Sequence, residues 1–345
     1  MIFRQIFDSG SCTYTYLLAS RRGGEAVIID PVIEKVDRYV QLLAELDLKL
    51  VKAIDTHLHA DHITGLGRLR DLTRCVTVMG KESEVDVVSM RVTDGDRIDI
   101  EGLTLIAMHT PGHTPDSYCF RMDDRVFTGD TLLIRGTGRT DFQGGDPAAQ
   151  YESLFGTLLK LPDDMLVYPA HDYKGETVST IGEERAFNPR LQVACGEEYV
   201  ALMRGLKLAS PKMMDVAVPA NRRIGLTQDN LLATGRAITV QDAIGLCGRT
   251  DVVLVDLREA RERQIHGVIA GALHAPYRDL EANVCEGGLL HALAQGRKLI
   301  FYCAFGERSA MAVETAQAAG IAGVAHIHGG LAAWKEAGGP VAARG

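Results

Sequence analysis

The 345-residue sequence predicts an α/β protein made of two domains. A chain of this length usually folds as two domains, because a single domain holds roughly 100–200 residues. Strand-like apolar runs alternate with loops and helical patterns in the first part of the chain, and a second alternation of buried strands and helices begins after about residue 235. We therefore predict one domain over residues 1–235 and another over residues 236–345.

In the first domain, strand-like runs precede the loops that carry most of the polar side chains. Apolar residues at helical spacing predict a helix from Val36 to Leu46. The pair Asp146-Pro147 predicts the start of a second helix, which extends to Leu161. The predicted strands are Cys12–Leu18, Ala26–Asp30, Leu50–Asp55, Ile98–Met108, Ser117–Met122 and Met165–Pro169.

The second domain contains short, continuous apolar runs, which are typical of the buried strands of a parallel sheet. Helical patterns at Glu307–Ala319 and Leu331–Ala337 lie between or after these runs, so we expect a small α/β domain. Residues 186–235 are less regular, and we expect a tail packed on the first domain, followed by a linker. The predicted strands are Val252–Asp256, Lys298–Tyr302 and Val324–Ile327.

The composition excludes several classes of protein. Lys and Arg number 37 against 45 Asp and Glu, and a net charge of −8 argues against a nucleic-acid or anionic membrane partner. No apolar run approaches the ~20 residues that span a bilayer, and residues 1–10 lack the apolar segment of a secretory signal. We expect a cytoplasmic protein and leave open whether it forms a homo-oligomer.

Histidine and aspartate side chains cluster directly after a predicted strand, in the segment Thr56–His62 (THLHADH). His57 and His59 alternate, so on an extended loop they point to the same side, and we expect Asp61 and His62 to enter a helix-like stretch. Imidazole and carboxylate groups at this density can hold up to two metal ions. Three later strand ends each add a candidate ligand: His113, Asp130 and His171.

These segments resemble the metallo-β-lactamase superfamily, whose αββα sandwich holds metal in its loops. The resemblance covers about residues 1–235. The finer motifs are similar to those of the persulfide (sulfur) dioxygenase branch, which is close to glyoxalase II, an enzyme that hydrolyses glutathione thioesters. These finer motifs are Gly138–Gln143, Ala170–Tyr173, Asn188–Arg190 and Val218–Asn221.

The resemblance implies one Fe(II) per chain, held by His57, His113 and Asp130. Two imidazoles and one carboxylate leave positions open for O₂ and for a substrate sulfur. The sequence leaves open whether a second metal also binds, as it does in glyoxalase II. The other members of the cluster would orient ligands and water; they are His59, Asp61, His62 and His171.

Glutathione carries two carboxylates and one ammonium, so a pocket for it needs positive charge and hydrogen-bond donors. Arg139 and Tyr173 are the first candidates and Lys174 the next, because they lie in motif loops beside the expected ligands. Arginine is suited to a bidentate contact with a carboxylate. The alternatives are a salt bridge within the loop for Arg139 and simple exposure to solvent for Lys174.

Cys303 differs in context from the other six cysteines, which are scattered and form no C-x-x-C pair. It follows a predicted buried strand and precedes a helix, so backbone N–H groups of the loop converge on its sulfur. Together with Arg308, these groups should favour the thiolate over the thiol. We therefore predict Cys303 and Arg308 as catalytic residues, and Cys12 and Cys119 as buried structural cysteines.

The surroundings of Cys303 resemble a single rhodanese (sulfurtransferase) domain over about residues 236–345. Ala304 and Glu307 make its loop less cationic than some, which argues against tight thiosulfate binding. Phosphatase-type loops usually have one residue more between cysteine and arginine, so sulfur transfer fits this loop better. The segments that carry the resemblance are Cys303–Ser309, Asp256–Glu259, Gly267–Ala272 and Gly329–Trp334.

Together, the two resemblances imply a bifunctional enzyme of sulfur metabolism. The first domain would oxidise glutathione persulfide with O₂ and water to sulfite and glutathione. The second would carry sulfur between thiosulfate and glutathione as a Cys303 persulfide. The alternative is a dinuclear zinc thioester hydrolase of the glyoxalase II type, with the rhodanese domain as a regulatory module.

Overall fold

The computed structural model describes residues 1–85, 88–206, 208, 214–222, 224 and 228–342. The chain forms two compact units: Met1–Val85 with Met90–Ile224, and Asp86–Ser89 with Gly225–Gly345. The domain boundary expected between residues 235 and 236 stays a prediction. In the part of the chain that the structure describes, no helix is both long and apolar enough to cross a membrane.

The first unit contains two six-stranded sheets. Its strands are β1 (Ile2–Asp8), β2 (Thr13–Ala19), β3 (Glu25–Ile29), β4 (Lys49–Ile54), β5 (Val76–Gly80), β6 (Met90–Val92), β7 (Arg97–Ile100), β8 (Leu103–His109), β9 (Tyr118–Arg121), β10 (Arg125–Gly129), β11 (Leu166–Pro169) and β12 (Ser179–Thr180). The strand order is β1-β2-β3-β4-β5-β6 in one sheet and β12-β11-β10-β9-β8-β7 in the other. Tyr16 and Val27 of the first sheet share a buried core with Phe120 and Phe127 of the second, so the sheets pack face to face.

The first unit also contains helices, and some of them pack on the outer faces of the sandwich. They are α1 (Val36–Glu45), α2 (Leu66–Thr73), α3 (Pro147–Tyr151), α4 (Ile181–Phe187), α5 (Gly196–Gly205) and α6 (Met214–Asn221). α2 packs on β4 and β5. Tyr199 of α5 shares a second buried core with Val126 of β10. The expected αββα sandwich is therefore confirmed.

Three predicted elements of the first unit differ from the structure. The run Ile98–Met108 forms two strands, β7 and β8, which turn at Gly102 with φ +71°. The helix expected to end at Leu161 continues past α3 as a π-helical segment, Glu152–Thr157, and a 3-10 turn. Asp61 and His62 lie in a bend before α2, so the helix-like stretch expected there is wrong.

The second unit contains one five-stranded parallel sheet. Its strands are β13 (Ala237–Ile238), β14 (Val252–Asp256), β15 (Leu273–His274), β16 (Lys298–Tyr302) and β17 (Val324–Ile327), in the order β13-β17-β16-β14-β15. Its helices are α7 (Gln228–Ala233), α8 (Val240–Leu246), α9 (Ala260–His266), α10 (Leu280–Val284), α11 (Leu289–Leu293), α12 (Glu307–Ala318) and α13 (Gly330–Glu336). Apolar cores line both faces of the sheet, which confirms the small α/β domain.

Candidate active sites

The candidate metal ligands lie in loops that follow four strands of the first unit. His57 follows β4, His113 follows β8, Asp130 directly follows β10 and His171 follows β11. β10 and β11 are parallel, and β8 runs in the same direction because β9 is antiparallel to both β8 and β10. The loops therefore leave the second sheet at one edge. One ligand atom each of His57, His113 and Asp130 lie within 4.8 Å of one another.

Hydrogen bonds to Nδ1 orient the two imidazoles of this group. His113 Nδ1 donates to the carbonyl of Arg139 at 2.8 Å. The Thr56 hydroxyl donates to Asp30 Oδ2 at 3.0 Å and therefore accepts from His57 Nδ1, 2.9 Å away. With Nδ1 as the donor, Nε2 is the nitrogen that each neutral ring would offer to a metal ion.

Asp130 is held ionised by His171. His171 Nδ1 lies 2.7 Å from Asp130 Oδ1, and Nε2 lies 2.6 Å from Asp61 Oδ2. Burial favours the neutral imidazole, but the two carboxylates outweigh it and hold the pKa of His171 well above its usual value. Burial likewise favours protonation of Asp130, yet His171 holds the pKa of that carboxyl below its usual value. Asp130 is thus available as an anionic ligand.

A second candidate group lies beside the first and consists of His59, Asp61 and His62. His59 Nε2 lies 3.2 Å from Asp30 Oδ1, and His62 Nδ1 lies 2.9 Å from Asp61 Oδ2. The remaining nitrogens, His59 Nδ1 and His62 Nε2, are buried and find no hydrogen-bond partner among the described residues. A buried polar atom without a partner costs free energy, so a water molecule or a cation fits these two atoms.

The donor set fits a bound metal ion. Two imidazole nitrogens and one ionised carboxylate suit a mononuclear site that leaves coordination positions open. His57 and His113 are only 2% and 6% exposed, so packing holds both imidazoles in place. His57, His113 and Asp130 are therefore the residues that would hold a metal ion.

The sequence patterns did not identify Asp30 and Asp55, which lie beside His59. Asp30 accepts the Thr56 backbone N–H at 2.7 Å and contacts His59. Burial raises the pKa of Asp55 to about 7. Asp30, Asp55 and His59 form a third group of candidate ligand atoms within 4.8 Å. An aspartate at the end of an apolar strand run, as in AVIID and VKAID, is the signal that could have found them.

Two glycines let the ligand loops approach each other closely. Gly112 has φ +136°, and a Cβ there would lie 2.3 Å from Gln150 Cβ. A Cβ on Gly138 would lie 2.1 Å from the Asp130 carbonyl and 2.9 Å from His113 Cγ. Any larger residue at either position would push a ligand loop away from the site.

The asparagines of two sequence motifs form hydrogen bonds with the backbone of loops at the site. Asn188 Nδ2 donates to the Gly136 carbonyl at 2.9 Å. Asn221 Nδ2 donates to the carbonyls of His59 and His62 at 3.0 and 2.8 Å, and its Oδ1 accepts the Thr64 N–H at 2.9 Å. Asn221 thus holds the shape of the histidine cluster, and Asn188 holds the loop that follows Asp130.

The three residues expected to contact substrate have different environments. Arg139 forms a bidentate pair with Asp141 through Nε at 2.6 Å and Nη2 at 2.7 Å, so the salt bridge considered for it is present. The Tyr173 ring stacks on His171 with centroids 6.2 Å apart, and the residue is 70% exposed. Lys174 is exposed. A contact of any of the three with substrate stays a prediction.

In the second unit, Cys303 lies in the loop between β16 and α12. The Gly306 N–H donates to Cys303 Sγ at 3.1 Å, as expected for a loop that surrounds the sulfur with backbone donors. The thiol also contacts Glu307 Oε2 at 3.4 Å. Cys303 and Glu307 are 0% and 1% exposed.

Arg308 interacts with carboxylates instead of the sulfur. Its Nη1 and Nη2 donate to Glu262 at 2.9 and 2.7 Å, and its Nε donates to Glu307 Oε1 at 3.3 Å. Burial raises the pKa of Cys303 to about 11, and Glu307 adds to the rise by more than Arg308 offsets. The expected thiolate in the resting loop is therefore wrong, because the charge of Arg308 is balanced by Glu262 and Glu307. Catalytic roles for Cys303 and Arg308 stay predictions.

Comparisons with known proteins agree with both units. The sequence profile of the Metallo-beta-lactamase superfamily matches residues 13–171, and that of the Rhodanese-like domain matches residues 239–337. Persulfide dioxygenase ETHE1, mitochondrial, from Homo sapiens is 48% identical over 229 residues, which cover 66% of this chain and 89% of the relative. The Mus musculus protein of the same name gives the same values.

Two solved structures are similar to the chain. The crystal structure of ETHE1 from Myxococcus xanthus is 50% identical, covers 64% of this chain and 98% of its own, and has a TM-score of 0.63. A metallo-beta-lactamase from Staphylococcus aureus subsp. aureus COL is 21% identical, covers 95% of this chain and 98% of its own, and has a TM-score of 0.61. At that lower identity the likeness concerns the fold alone.

Proposed function

Because the chain belongs to the persulfide dioxygenase family of the metallo-β-lactamase superfamily and carries a C-terminal rhodanese-like domain, we propose that its first unit oxidises glutathione persulfide. The reaction consumes one persulfide, one O₂ and one water and yields glutathione, sulfite and two protons. The observation that carries this proposal is the buried group of His57, His113 and Asp130, whose ligand atoms lie within 4.8 Å of one another.

The residues of the chain prepare this site before substrate arrives. The Arg139 carbonyl and the Thr56 hydroxyl fix the tautomers of His113 and His57. The bound Fe(II), one per chain, would bring O₂ and the terminal persulfide sulfur together, which makes their reaction effectively intramolecular. His171 keeps Asp130 ionised, and His59, Asp61 and His62 orient the loop and the water beside it.

The glutathione moiety is held, in this proposal, by Arg139, Tyr173 and Lys174. Arg139 and Phe142 lie in the loop beside His113, with the guanidinium 4.7 Å from the Phe142 ring centroid. Tyr173 stacks on His171, and Lys174 follows it on the exposed side. Arginine and lysine side chains can neutralise the two substrate carboxylates, and the tyrosine hydroxyl can donate a hydrogen bond.

The second unit acts as a sulfurtransferase in this proposal. Cys303 accepts the sulfane sulfur of thiosulfate as a persulfide and passes it to glutathione, which produces the substrate of the first unit. The Gly306 N–H that donates to Sγ supports this role, because backbone donors stabilise negative charge on a transferred sulfur. The cytoplasmic location belongs to the same proposal.

One observation favours the alternative, a dinuclear zinc thioester hydrolase. His59 Nδ1 and His62 Nε2 are buried without partners among the described residues, beside Asp61. Against a second metal, both ring nitrogens of His171 donate to carboxylates, Asp130 and Asp61, so neither nitrogen offers a free lone pair to a metal ion.

Metal analysis of the protein as purified, together with oxygen uptake by anaerobically purified, iron-loaded protein, tests the proposal. With glutathione persulfide we expect consumption of one O₂ and release of one sulfite per persulfide, with about one iron per chain. About two zinc ions per chain, thioester hydrolysis and no oxygen uptake would establish the alternative instead.

A further inference from the structure

The Cys303 sulfur lies between a proton acceptor and a proton donor inside the buried loop. Its thiol donates toward Glu307 Oε2 at 3.4 Å, and the Gly306 N–H donates to Sγ at 3.1 Å. Glu307 is almost fully buried, and a buried carboxylate requires hydrogen-bond donors to offset its lost hydration. The thiol proton is thus already aimed at a carboxylate oxygen.

Arg308 orients this carboxylate. Its Nε donates to Glu307 Oε1, while its two terminal nitrogens are held by Glu262. Oε2 of Glu307 is therefore the oxygen that faces the sulfur. Glu307 is also the first residue of α12, where the free peptide N–H groups of the helix stabilise an anion.

Cys303 needs a proton acceptor to react. The thiolate is the nucleophilic form of cysteine, and burial followed by the Glu307 charge raises the pKa of Cys303 to about 11. The charged groups that act on the sulfur are Glu307 and Arg308. Ser309 Oγ lies 3.8 Å from Sγ and 3.3 Å from His326 Nδ1, so it links a further titratable group to the loop.

We propose that Glu307 accepts the proton of Cys303 as the sulfur attacks a sulfane-sulfur donor and returns that proton to the product persulfide. This inference rests on the proposed sulfur transfer. Sγ forms a bond to the outer sulfur of thiosulfate, the bond between the two thiosulfate sulfurs breaks, and its electron pair leaves with sulfite. Glu307 then protonates the terminal sulfur, so a thiol and thiosulfate become a hydropersulfide and sulfite with no net change of charge.

Reaction with methyl methanethiosulfonate tests the proton transfer independently of sulfur transfer. This small neutral reagent attaches a methylthio group to a cysteine and releases methanesulfinate, and peptide mass spectrometry reports the rate at Cys303. We expect Glu307→Gln to react about 100-fold more slowly than the wild type at pH 7, a typical contribution of a general base. The deficit should shrink by about tenfold per pH unit, because the unassisted thiolate fraction rises by that factor.

Glu314→Gln is the matched control, because Glu314 lies on the same helix, is exposed and contacts Arg236. It should react like the wild type. Glu307→Asp keeps the carboxylate but withdraws it by one methylene, so we expect a smaller deficit in the reaction rate with the same pH dependence. This variant also provides the test if Glu307→Gln fails to fold. An equal or faster rate for Glu307→Gln at pH 7, a deficit independent of pH, or no reaction of wild-type Cys303 at pH 7 overturns the inference.

A second assay separates the inference from the proposed function. Wild-type protein is incubated with thiosulfate, and mass spectrometry looks for a persulfide on Cys303. If none forms while the reagent assay gives the expected pH dependence, the sulfur transfer from thiosulfate is wrong and the role of Glu307 stands. If the persulfide forms equally fast in wild type and Glu307→Gln at pH 7, the sulfur transfer stands and the role of Glu307 is wrong.

Discussion

Among individual residues, each candidate iron ligand is oriented by a different hydrogen-bond partner. His113 is fixed by the Arg139 carbonyl, and Asp130 by the His171 imidazole. Because these partners act on separate ligands, removing one ligand leaves the other two oriented but takes away one of the three protein donors. Residues that only orient the ligands should matter less for binding the metal.

We expect His113→Ala and Asp130→Ala to purify almost without iron and to consume no oxygen with glutathione persulfide. His59→Ala should keep iron with an affinity lowered by about 10–100-fold, which is typical of groups that support metal ligands. Elemental analysis of the protein after dialysis against a graded chelator measures the difference. His291→Ala, in the second unit, is the control, and equal iron loss in His59→Ala and His113→Ala would contradict the mononuclear site.

Arg139→Lys keeps the positive charge and loses the planar fork. If Arg139 contacts a substrate carboxylate, losing one charge-assisted hydrogen bond of about 1.5 kcal/mol should raise KM for glutathione persulfide about tenfold without lowering iron content. Steady-state oxygen uptake measures KM. Asp141→Asn is the companion variant, because it frees the Arg139 fork and should leave KM unchanged or lower it. An unchanged KM in Arg139→Lys would show that Arg139 only stabilises its loop, through the pair with Asp141, and does not bind the substrate.

At the element scale, α6 holds the histidine loop in place through one side chain. Asn221, at the end of α6, makes three hydrogen bonds to backbone groups of residues 59–64. His59, His62 and Thr64 are buried, so water has little access to these backbone groups. The conformation of the loop therefore depends on a residue that lies 157 to 162 positions further along the chain.

We expect Asn221→Ala to loosen this loop. Leaving a buried backbone group unsatisfied costs about 1–3 kcal/mol, which corresponds to amide exchange roughly 5–150-fold faster in the segment 57–64. Hydrogen exchange followed by mass spectrometry measures it. Asn283→Ala removes a single bond to the Asp279 carbonyl in the second unit and serves as the control. Unchanged exchange at residues 57–64 in Asn221→Ala would contradict this role.

At the scale of the whole molecule, the chain combines two units that have separate apolar cores. The candidate metal group lies in one unit and the Cys303 loop in the other. If the two chemistries are as proposed, the product of the second unit is the substrate of the first. A change in one site should then leave the other intact.

Cys303→Ser should separate the two activities, because a serine hydroxyl cannot form a persulfide. Sulfur transfer from thiosulfate to glutathione should disappear, and oxygen uptake driven by thiosulfate plus glutathione should fail with it. Oxygen uptake with glutathione persulfide supplied directly should stay near the wild-type rate. Loss of direct persulfide oxidation in a folded variant with normal iron content would mean that Cys303 takes part in the oxidation, and the model of two independent sites would be wrong.

Regular elements with strong local patterns were predictable. The continuous apolar runs of the second unit form β14, β16 and β17 with the expected bounds, because a strand buried on both faces needs apolar residues at every position. The irregular helix after Asp146 was not predictable in detail, because local spacing does not separate α-helical from π-helical and 3-10 turns. The bend at Asp61 was missed because its hydrogen-bond partners are distant in sequence.

Residue types and local patterns in the sequence specify which groups are available and where the strands that present them end. The candidate metal group of His57, His113 and Asp130 follows from strand ends, because strands that run in one direction bring their loops to one edge. The interaction partners of these groups depend on the folded chain: Arg308 pairs with Glu262, 46 residues away, and Glu307 faces Cys303. A buried charge pairs with a compatible group that is close in space, and no periodicity of the sequence records which distant residue that is.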